Sequence, residues 1–481
     1  MGIKARTDDG VGIGRVLGVL LLATACLAGG CASPGAFAIV DVTVVDVDAG
    51  VLVPHQTVLM RGERIAEVAP TGALRLPPGT QRLDGSGRYL IPGLWDMHVH
   101  DLEWAHVRAG LLAHGITGVR AMGSELEPAL ATRDAIARGA MVGPRVATAG
   151  PPITGPTHVG ATNDAEADDV TGAEPEDDGP EWHVEVAESQ EQGRAVAARL
   201  AGAGVDFFKV HDVLPPEALT GVAMEARSRG MRFAGHVPRG MRTSGFLVHK
   251  PASVEHMSVI LEHEMTRGSG ASEEAFREAV AAWLDGPGDE LLREMARTNT
   301  AVCPTLVAGV AITRGTDPDG SVWDDPRVAA LPKELREAWE ELLPRRGLGL
   351  PANFSKQRGW MDEASLVVLA AMHRRRVPLL VGSDLGAPHL YPGESLHEEL
   401  ALFARAGIPP AESLRLATAG AADFLGLGRQ VGRVRRGMDA DLVLLDADPL
   451  ADVSALRNIS AVVLRGRLID RNELDRMLRA R

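Results

Sequence analysis

The stretch LIPGLWDMHVHDLE, Leu90–Glu103, carries the strongest signal in this chain for both fold and chemistry. An apolar run passes through Pro92 and Gly93 and ends in two histidines one residue apart, His98 and His100. Alternate residues of an extended strand share one face, so both imidazoles point to the same place. Two nitrogen ligands at one point suit a transition metal. The pair alone is weak support, and the other ligands must come from elsewhere in the chain.

The composition is that of a soluble globular protein with room for more than one domain. Of 481 residues, 45% are hydrophobic and 24% are charged. The formal net charge of -14 argues against nucleic acid as a partner, because phosphate binding needs a basic surface. Part of the acidity lies in residues 163–181, NDAEADDVTGAEPEDDGPE, which we interpret as a solvated loop. A calcium-binding loop is the alternative, although the spacing does not match an EF-hand.

Residues 1–38 are typical of an export signal. Basic residues precede the apolar run VLGVLLLATACLAGG, which is short for a transmembrane span. Lipidation at Cys26 or Cys31 and simple cleavage after residues 36–38, AFA, are both open. We predict an extracytoplasmic protein that is secreted, periplasmic or anchored to a membrane through an amino-terminal lipid only. With the signal removed, Cys303 would be the only thiol left, so no internal disulfide is expected.

The two ends of the chain are rich in predicted β-strands, whereas the middle has a different pattern of residues. Residues 39–91 and 426–481 give short Val-rich strands and turns, which predicts one small β-sandwich-like domain built from both termini. Residues 92–425 repeat a short apolar run followed by a stretch with helical spacing. Such repeats predict an α/β fold, and a (β/α)8 barrel fits their number best. A doubly wound sheet is the competing fold, but no G-x-G-x-x-G follows the first strand.

Two segments of the middle exceed the normal length of a loop. They cover about residues 261–298 and 311–362. The second contains PKELREAWEELLPRR, which has the spacing of a helix. We interpret this second segment as a lid.

Polar side chains follow the middle strands at equivalent places, where each strand ends. Lys209 follows the run DFF, His236 follows RFAG, His256 follows SVE and Asp384 follows LLVGS. In an α/β barrel the chemistry lies at the carboxyl ends of the strands, so these side chains should meet the histidines of the opening stretch. Each residue alone fits a hydrogen-bonded loop residue, a surface cation or a helix cap. All six in this order, on consecutive strand units, are hard to explain as six coincidences.

This ordered set resembles the amidohydrolase superfamily, from about Phe37 to the end of the chain. The matching pieces are PGLWDMHVH, FFKVHD, GHVP, SVEHM and GSDLG, and GRVRRGMDADLVLLDADPL is similar to the carboxyl-terminal strands of the family. The resemblance is closest to the imidazolonepropionase-like and Xaa-Pro dipeptidase-like branch. It implies the barrel and the two-ended β-domain. It also implies metal ligands at His98, His100, Lys209, His236, His256 and Asp384.

Lys209 fits such a site only in a modified form. An ammonium is repelled by a metal cation and has no lone pair, whereas a carbamate offers one oxygen to each of two metals. The resemblance implies N6-carboxylysine at Lys209 and two divalent ions, Zn²⁺ by default, with Mn²⁺ and Fe²⁺ open. The first ion would be held by His98, His100, Lys209 and Asp384, and the second by Lys209, His236 and His256.

The resemblance implies a hydroxide between the metals that attacks a carbonyl, with Asp384 moving the proton to the leaving nitrogen. Mononuclear deaminases of the family usually have a Glu three residues after the fifth-strand His, where this chain has Arg239. We therefore predict hydrolysis of an amide C–N bond in a dipeptide or an N-acyl amino acid. The alternatives are an esterase, lactonase or phosphotriesterase on the same metals, and a binding lipoprotein without catalysis.

Four residues are weaker candidates for contact with this small-molecule substrate. His158 matches a histidine that the branch often keeps near the substrate, and a plain loop histidine is an equal alternative. His211, Arg239 and His389 are close in sequence to the ligand strands and could contact a substrate carboxylate. The oligomeric state, including a homo-oligomer, is open.

Overall fold

The structure is a computed structural model that describes residues 36–156, 183–265, 272–331, 333–343, 351 and 353–479. Its strands are β1 (Phe37–Asp46), β2 (Val51–Arg61), β3 (Arg64–Pro70), β4 (Gln81–Asp84), β5 (Tyr89–Pro92), β6 (Leu94–Val99), β7 (Ile116–Ala121), β8 (Arg145–Thr148), β9 (Ile153–Thr154), β10 (Glu185–Val186), β11 (Phe208–Val210), β12 (Phe233–Gly235), β13 (Ser253–Glu255), β14 (Ala301–Cys303), β15 (Leu442–Leu445), β16 (Ile459–Leu464) and β17 (Arg467–Asp470). Its α-helices are Ala105–Ala113, Leu126–Ala137, Gln190–Ala203, Pro216–Arg229, Thr243–Val248, Met257–Glu264, Glu273–Leu284, Pro287–Thr298, Leu306–Gly315, Pro326–Ala330, Lys333–Leu342, Phe354–Arg374, Glu394–Arg405, Pro410–Arg415, Ala421–Phe424 and Arg471–Arg479. Across these ranges, no helix is both long and apolar enough to cross a membrane.

Strands from both ends of the chain form one mixed sheet, as the sequence predicts. Its order is β17-β16-β15-β5-β1-β2-β3, and β4 pairs in parallel with β1. The carboxyl-terminal strand β15 lies antiparallel to β5. Ile39 and Val42 of β1, Val58 of β2 and Leu442 of β15 are fully buried in one apolar core. This core ties the two ends of the chain together.

A single residue, Gly93, connects this sheet to the parallel strands of the middle. It stands between β5 and β6, and its N–H donates to the carbonyl of Asp441 at 2.8 Å. A Cβ at position 93 would come within 1.9 Å of Thr117 Oγ1, so only glycine fits. The turn therefore fixes the start of the strand that carries His98.

The middle of the chain contains two parallel sheets. One consists of β6, β7 and β8, and the other has the order β10-β9-β11-β12-β13-β14. The segment from Leu379 to Leu385 joins them, because Leu379 pairs in parallel with Val302 of β14 and Leu385 pairs in parallel with Val99 of β6. The carboxyl ends of the strands therefore share one edge. Parallel strands alternating with helices agree with the predicted α/β class, and closure into eight strands stays a prediction.

Local sequence sets the helices between these strands, as Gln190–Ala203 illustrates. The Ser189 hydroxyl caps it by accepting the N–H of Gln192 at 3.3 Å. Gly204 ends it with a φ of 97°, which glycine adopts without strain. This helix lies between two strands of the middle, where the repeated stretches with helical spacing were predicted.

The described parts of the two long segments are mostly helical. The first contains Glu273–Leu284 and Pro287–Thr298, and the second contains Lys333–Leu342, the helix predicted from PKELREAWEELLPRR. The second segment contributes to an apolar group, here named the aromatic cluster, that consists of Trp323, Val328, Trp339, Leu343 and Tyr391. The role of this segment as a lid stays a prediction.

Glu399, in the helix Glu394–Arg405, is a carboxyl group with no access to solvent. One of its oxygens accepts the N–H of Val307 at 2.8 Å. Burial raises its pKa to about 8, so the folded state keeps a proton that the unfolded state loses above a pH of about 4.3. The free energy of unfolding should therefore fall as the pH rises from about 5 to 8, by up to ~1.4 kcal/mol per pH unit from this group.

Denaturant unfolding of the wild type and of Glu399→Gln across this pH range measures the effect. The substitution removes the titrating group, so its stability should depend less steeply on pH. Glu398→Gln, at the neighbouring and partly exposed position, is the control and should keep the wild-type slope. An equal slope for the wild type and Glu399→Gln would show that Glu399 does not hold the proton.

Candidate metal centre

The six predicted ligands border one cleft at the carboxyl edge of the parallel strands. They occupy or follow the ends of β6, β11, β12 and β13 and the segment that joins the two sheets. These cleft residues are His98, His100, Lys209, His236, His256 and Asp384. The structure therefore brings together all the predicted ligands, while metal binding by them stays a prediction.

Asp384 lies among three of the histidines. Its Oδ1 is 3.1 Å from His98 Nε2 and 3.4 Å from His100 Nε2, and its Oδ2 is 3.8 Å from His256 Nδ1. The donor atoms of His98, His256 and Asp384 lie within 4.8 Å of one another, which suits one cation between them. Burial acts to raise the pKa of Asp384, but His256 and His100 hold it below the ordinary range. The group is therefore a carboxylate.

His98 lies between two carboxylates. Its Nδ1 is 3.0 Å from Glu255 Oε2, and its Nε2 is 3.1 Å from Asp384 Oδ1. Burial holds its pKa well below the ordinary value, so the imidazole is neutral and has one N–H. Whichever nitrogen is protonated, the other one turns a lone pair towards a carboxylate oxygen. A cation between His98 Nε2 and Asp384 removes this conflict, so the donor set fits a metal.

A backbone carbonyl orients the imidazole of His100 so that its Nε2 points towards Asp384. Its Nδ1 lies 3.1 Å from the carbonyl of Gly123. A carbonyl only accepts, so Nδ1 carries the proton and donates. Nε2 faces Asp384 Oδ1 at 3.4 Å. Burial acts to lower the pKa of His100, but the hydrogen bond and the charge of Asp384 raise it above the ordinary value. A cation bound at this position would take the place of the Nε2 proton.

Lys209 contributes the one amine among these side chains. It is 2% exposed and lines the cleft. Burial lowers its pKa to about 8, although Glu255 and Asp384 act to raise it. Part of the amine is therefore neutral near physiological pH, which is the form that reacts with carbon dioxide.

A second group of donors lies beside the first. The donor atoms of His211, Asp212 and His236 are within 4.8 Å of one another, and the His211 and Asp212 side chains approach to 2.5 Å. The His236 ring centroid is 4.6 Å from that of His256, which connects the two groups. Burial, together with Lys209, lowers the pKa of His236 well below its ordinary value, so it is a neutral imidazole. Asp212 was not predicted, and its only signal is its place after His211 in FFKVHD.

Two of the predicted ligands adopt an unusual backbone conformation. His256 has a φ of 65° and Asp384 a φ of 62°, a region that residues other than glycine rarely occupy. Hydrogen bonds hold both: the His256 N–H donates to Cys303 and the Asp384 N–H donates to His98, each at 2.9 Å. Strain of this kind clusters at functional sites.

A buried charged pair behind His98 was missed by the sequence analysis. Glu255 Oε2 accepts from His98 Nδ1 and from Arg120 Nη2, the latter at 2.8 Å. Arg120 Nε donates to the carbonyl of Met97 at 2.6 Å, which ties the pair to β6. Both side chains are buried. The available signal was a glutamate inside the short apolar run SVEHM, directly before His256.

Asp96 connects the two strand ends that carry His98 and Asp384. Its carboxylate accepts the backbone N–H of His98 at 3.2 Å and that of Ser383 at 2.9 Å, together with the Ser383 hydroxyl. Burial raises its pKa to about 7. This contact sets the spacing between the two ligands.

Two of the weaker candidates lie at or beside the cleft. His211 lines it. Arg239 Nε donates to Asp212 at 2.9 Å, and the Arg239 side chain is 44% exposed. The arginine is therefore held next to His211 and still has free N–H groups.

The other two weaker candidates are His389 and His158, and neither is tested by the described contacts. His389 packs into the aromatic cluster, with ring centroids 4.3 Å from Trp323 and 5.3 Å from Trp339. Its side chain is buried there, while Pro388 directly before it lines the cleft. A contact between His389 and the substrate stays a prediction. His158 lies outside the described residues, as does the acidic stretch 163–181 with its calcium alternative.

Replacing Glu255 by glutamine should weaken metal binding without removing a ligand. The neutral amide no longer polarises His98, and the loss expected for such a supporting residue is about 10–100-fold in metal affinity. Competition with a chromophoric chelator measures it. Glu225→Gln is the control, because Glu225 is also buried and paired with two arginines, Arg194 and Arg229, outside the cleft. Equal metal affinity in Glu255→Gln and the wild type would contradict the supporting role.

Part of the chain matches a known protein family. Residues 361–469 match the model of the Amidohydrolase family. The resemblance to the amidohydrolase superfamily is confirmed. The adenine deaminase of Rubrobacter xylanophilus (strain DSM 9941 / JCM 11954 / NBRC 16129 / PRD-1) is 40% identical over 67 residues, 14% of this chain and 11% of that protein. The adenine deaminase of Paracoccus denitrificans (strain Pd 1222) is 33% identical over 79 residues, 16% of this chain and 13% of that protein. The matches thus span about a tenth of the length of these relatives.

Solved amidohydrolase structures resemble nearly the whole chain. A putative prolidase from Bifidobacterium longum is 23% identical with a TM-score of 0.66, over 93% of this chain and 99% of that one. Bottromycin amidohydrolase is 24% identical with a TM-score of 0.70, over 92% and 88%. A Xaa-Pro dipeptidase with bound methionine in the active site is 19% identical with a TM-score of 0.64, over 91% and 100%. At these identities the likeness shows the fold, a TIM-barrel-like domain.

Proposed function

We propose that this amidohydrolase-like protein is a metal-dependent hydrolase that cleaves an amide C–N bond. The observation that carries the proposal is the convergence of four histidines, one lysine and one carboxylate on one cleft. The family match and the hydrolase neighbours support this class of reaction. A dipeptide or an N-acyl amino acid is the proposed substrate.

The residues present fit two divalent ions, with Zn²⁺ proposed. One ion would be held by His98, His100 and Asp384, and the other by His236 and His256, with carboxylated Lys209 contributing to both. The conflict of lone pairs at His98 supports a cation beside Asp384. When bound, such ions polarise a carbonyl and lower the pKa of water.

Asp384 is proposed to move the proton. Its Oδ atoms face the cleft as a carboxylate, so they can accept a proton from the attacking water and pass it to the leaving nitrogen. Asp96 and Ser383 hold its strand end in place. The chain thus positions the base before the substrate arrives.

His211 and Arg239 are proposed to select the substrate. Both proposed substrate types carry a free carboxylate, which a guanidinium binds in a bidentate manner. Asp212 fixes Arg239 beside the cleft residue His211. The ion pair orients the arginine but leaves N–H groups for the substrate.

Nucleobase deamination is the reaction named for the relatives that match short stretches. Arg239 stands where mononuclear deaminases of the family have a Glu, and it is already paired with Asp212. We therefore place amide hydrolysis first. Ester, lactone and phosphotriester hydrolysis remain alternatives because the same metals would serve them.

Hydrolysis by metal-loaded protein and by chelated protein tests the proposal. The panel contains dipeptides, N-acyl amino acids, lactones, phosphotriesters and adenine. We expect turnover of an amide substrate with a free carboxylate, its loss on chelation and its return with Zn²⁺. Turnover of adenine alone, or amide turnover that survives complete removal of metal, would overturn it.

We also propose two finer features of the fold. The residues that join β14 to β6 support an eight-stranded closed barrel over residues 92–425. The mixed sheet supports a β-domain made of residues 39–91 and 426–481. An experimental structure that left the strand ring open would contradict the first.

Export, with or without a lipid anchor, is proposed from residues 1–38. Phe37 and Ala38 are buried and pair with β2 and β4. Cleavage after Ala38 would remove these contacts, which favours processing at Cys26 or Cys31. Mass spectrometry of the protein from its host should find a new amino terminus near these cysteines. An intact Met1 in the cytosol would refute export.

A further inference from the structure

A second cavity opens at the end of the barrel-like domain that lies away from the proposed metal centre. Its volume is about 380 Å³, within the range that holds small ligands. Phe207, Phe233 and Ala252 line it at the amino ends of β11, β12 and β13. Phe424, from the carboxyl-terminal part of the chain, closes one side. The cavity is therefore distinct from the cleft at the carboxyl ends.

Five arginines line this cavity against three carboxylates, in a chain whose net charge is -14. The arginines are Arg120, Arg133, Arg145, Arg232 and Arg465, and the carboxylates are Glu63, Asp206 and Asp439. The residues that line the cavity thus carry a net charge of +2, five minus three. Residues behind the lining are not included in this sum. A concentration of guanidinium groups on an acidic protein indicates a local function.

Ion pairs account for three of the arginines. Arg133 pairs with Asp206 at 3.2 Å, and Arg145 pairs with Asp439 at 2.8 Å. The partner of Arg120 is Glu255, behind the metal centre. Arg145 also pairs with Asp441 at 3.3 Å.

Arg232 and Arg465 have no carboxylate within 4.0 Å among the residues that the structure describes. Arg232 donates to the carbonyl of Phe424, and Arg465 Nη1 donates to the carbonyl of Ala137 at 3.0 Å. Each guanidinium has five N–H groups, so most of their donors remain. Their observed contacts are with cavity-lining residues, which places both groups at the cavity wall.

The cavity also holds two guanidinium groups close together on one aromatic ring. Arg232 lies 5.0 Å and Arg120 lies 5.4 Å from the Phe424 ring centroid. Burial and the charge of Arg120 lower the pKa of Arg232. An anion near Arg232 would offset this repulsion, and the phenylalanines offer apolar surface to the rest of a ligand.

We propose that this cavity is a binding site for a small organic anion, a carboxylate or phosphate joined to an apolar group, held by Arg232 and Arg465. Glu63 lines the same cavity without an ion pair in the described structure and opposes the anion. The proposed anion site is separate from the proposed hydrolytic site, because Arg232, Arg465 and Glu63 do not line the metal-centre cleft.

Calorimetric titration of the full chain with benzoate, phenyl phosphate and neutral benzyl alcohol tests the site. Metal-loaded and chelated protein are both titrated, since the metal centre could also bind anions. We expect at least one anion to bind equally in both forms and benzyl alcohol to bind much more weakly. Arg232→Gln and Arg465→Gln should each weaken anion binding by about tenfold or more.

A variant that binds the anion more tightly cannot be explained by poor folding, whereas a variant that binds it more weakly could be. Glu63→Gln removes the unpaired negative charge of the lining and should tighten anion binding. Arg82→Gln, on the exposed strand β4, is the control and should change nothing. The proposal is overturned if neither anion binds, if chelation abolishes binding, if benzyl alcohol binds as well, or if the substitutions at Arg232, Arg465 and Glu63 have no effect.

Discussion

Asp384→Asn is expected to lower kcat by about 10²–10⁴, the range typical of a general acid–base group. The amide keeps the shape of the side chain but cannot accept the proton from water. Asparagine tolerates a positive φ, so the backbone at 62° is not strained further. The substitution should therefore leave the fold intact while turnover falls.

Two measurements separate proton transfer from loss of metal. Metal content shows whether the neutral amide still holds the ion between His98 and position 384. Asp101→Asn is the matched control, because Asp101 also lines the cleft and has a φ of 59° but is not a proposed ligand. Near-normal turnover in Asp384→Asn would show that the proton moves elsewhere. A fall of the same size in Asp101→Asn would mean that the effect is not specific.

Lys209→Ala is expected to lose one of the two proposed ions and most of the activity. The side chain is buried among His98, Asp384 and Glu255, where a lasting ammonium would repel cations. As a carbamate it would carry a negative charge and two oxygens for the metals. The loss in metal affinity should therefore exceed the ~10–100-fold typical of residues that only support a ligand.

Chemical rescue distinguishes a carbamate from a merely structural lysine. A short carboxylic acid should restore part of the metal content and activity of Lys209→Ala, because it supplies the missing oxygens. It should not rescue Lys209→Arg, whose guanidinium stays charged and fills the space. Lys356→Ala, at an exposed position, is the control for loss of a lysine. Isotopically labelled bicarbonate should leave its carbon on Lys209 in the metal-loaded wild type, and an unmodified lysine beside a single fully ligated ion would defeat the two-metal proposal.

The sequence alone determined which residues stand at strand ends. The period of two in the strand explains why His98 and His100 both reach Asp384, at 3.1 and 3.4 Å. The common direction of the strands then explains why Lys209, which is far away in the sequence, borders the same cleft. These features depend on local periodicity and on strand order, and both can be recognised in short stretches of the sequence.

Only the tertiary structure showed which residues support the predicted ligands and which polar residues lie outside the cleft. Ser383 meets Asp96, 287 positions away in the sequence, because the segment 379–385 lies beside β6. Glu255 meets His98, 157 positions away, although β13 and β6 are not neighbours in a sheet. His389 turned out to pack into the aromatic cluster, and Arg232 to face a separate cavity. Such contacts depend on how strands and loops from distant parts of the chain pack together, and no local pattern of residue types specifies that packing.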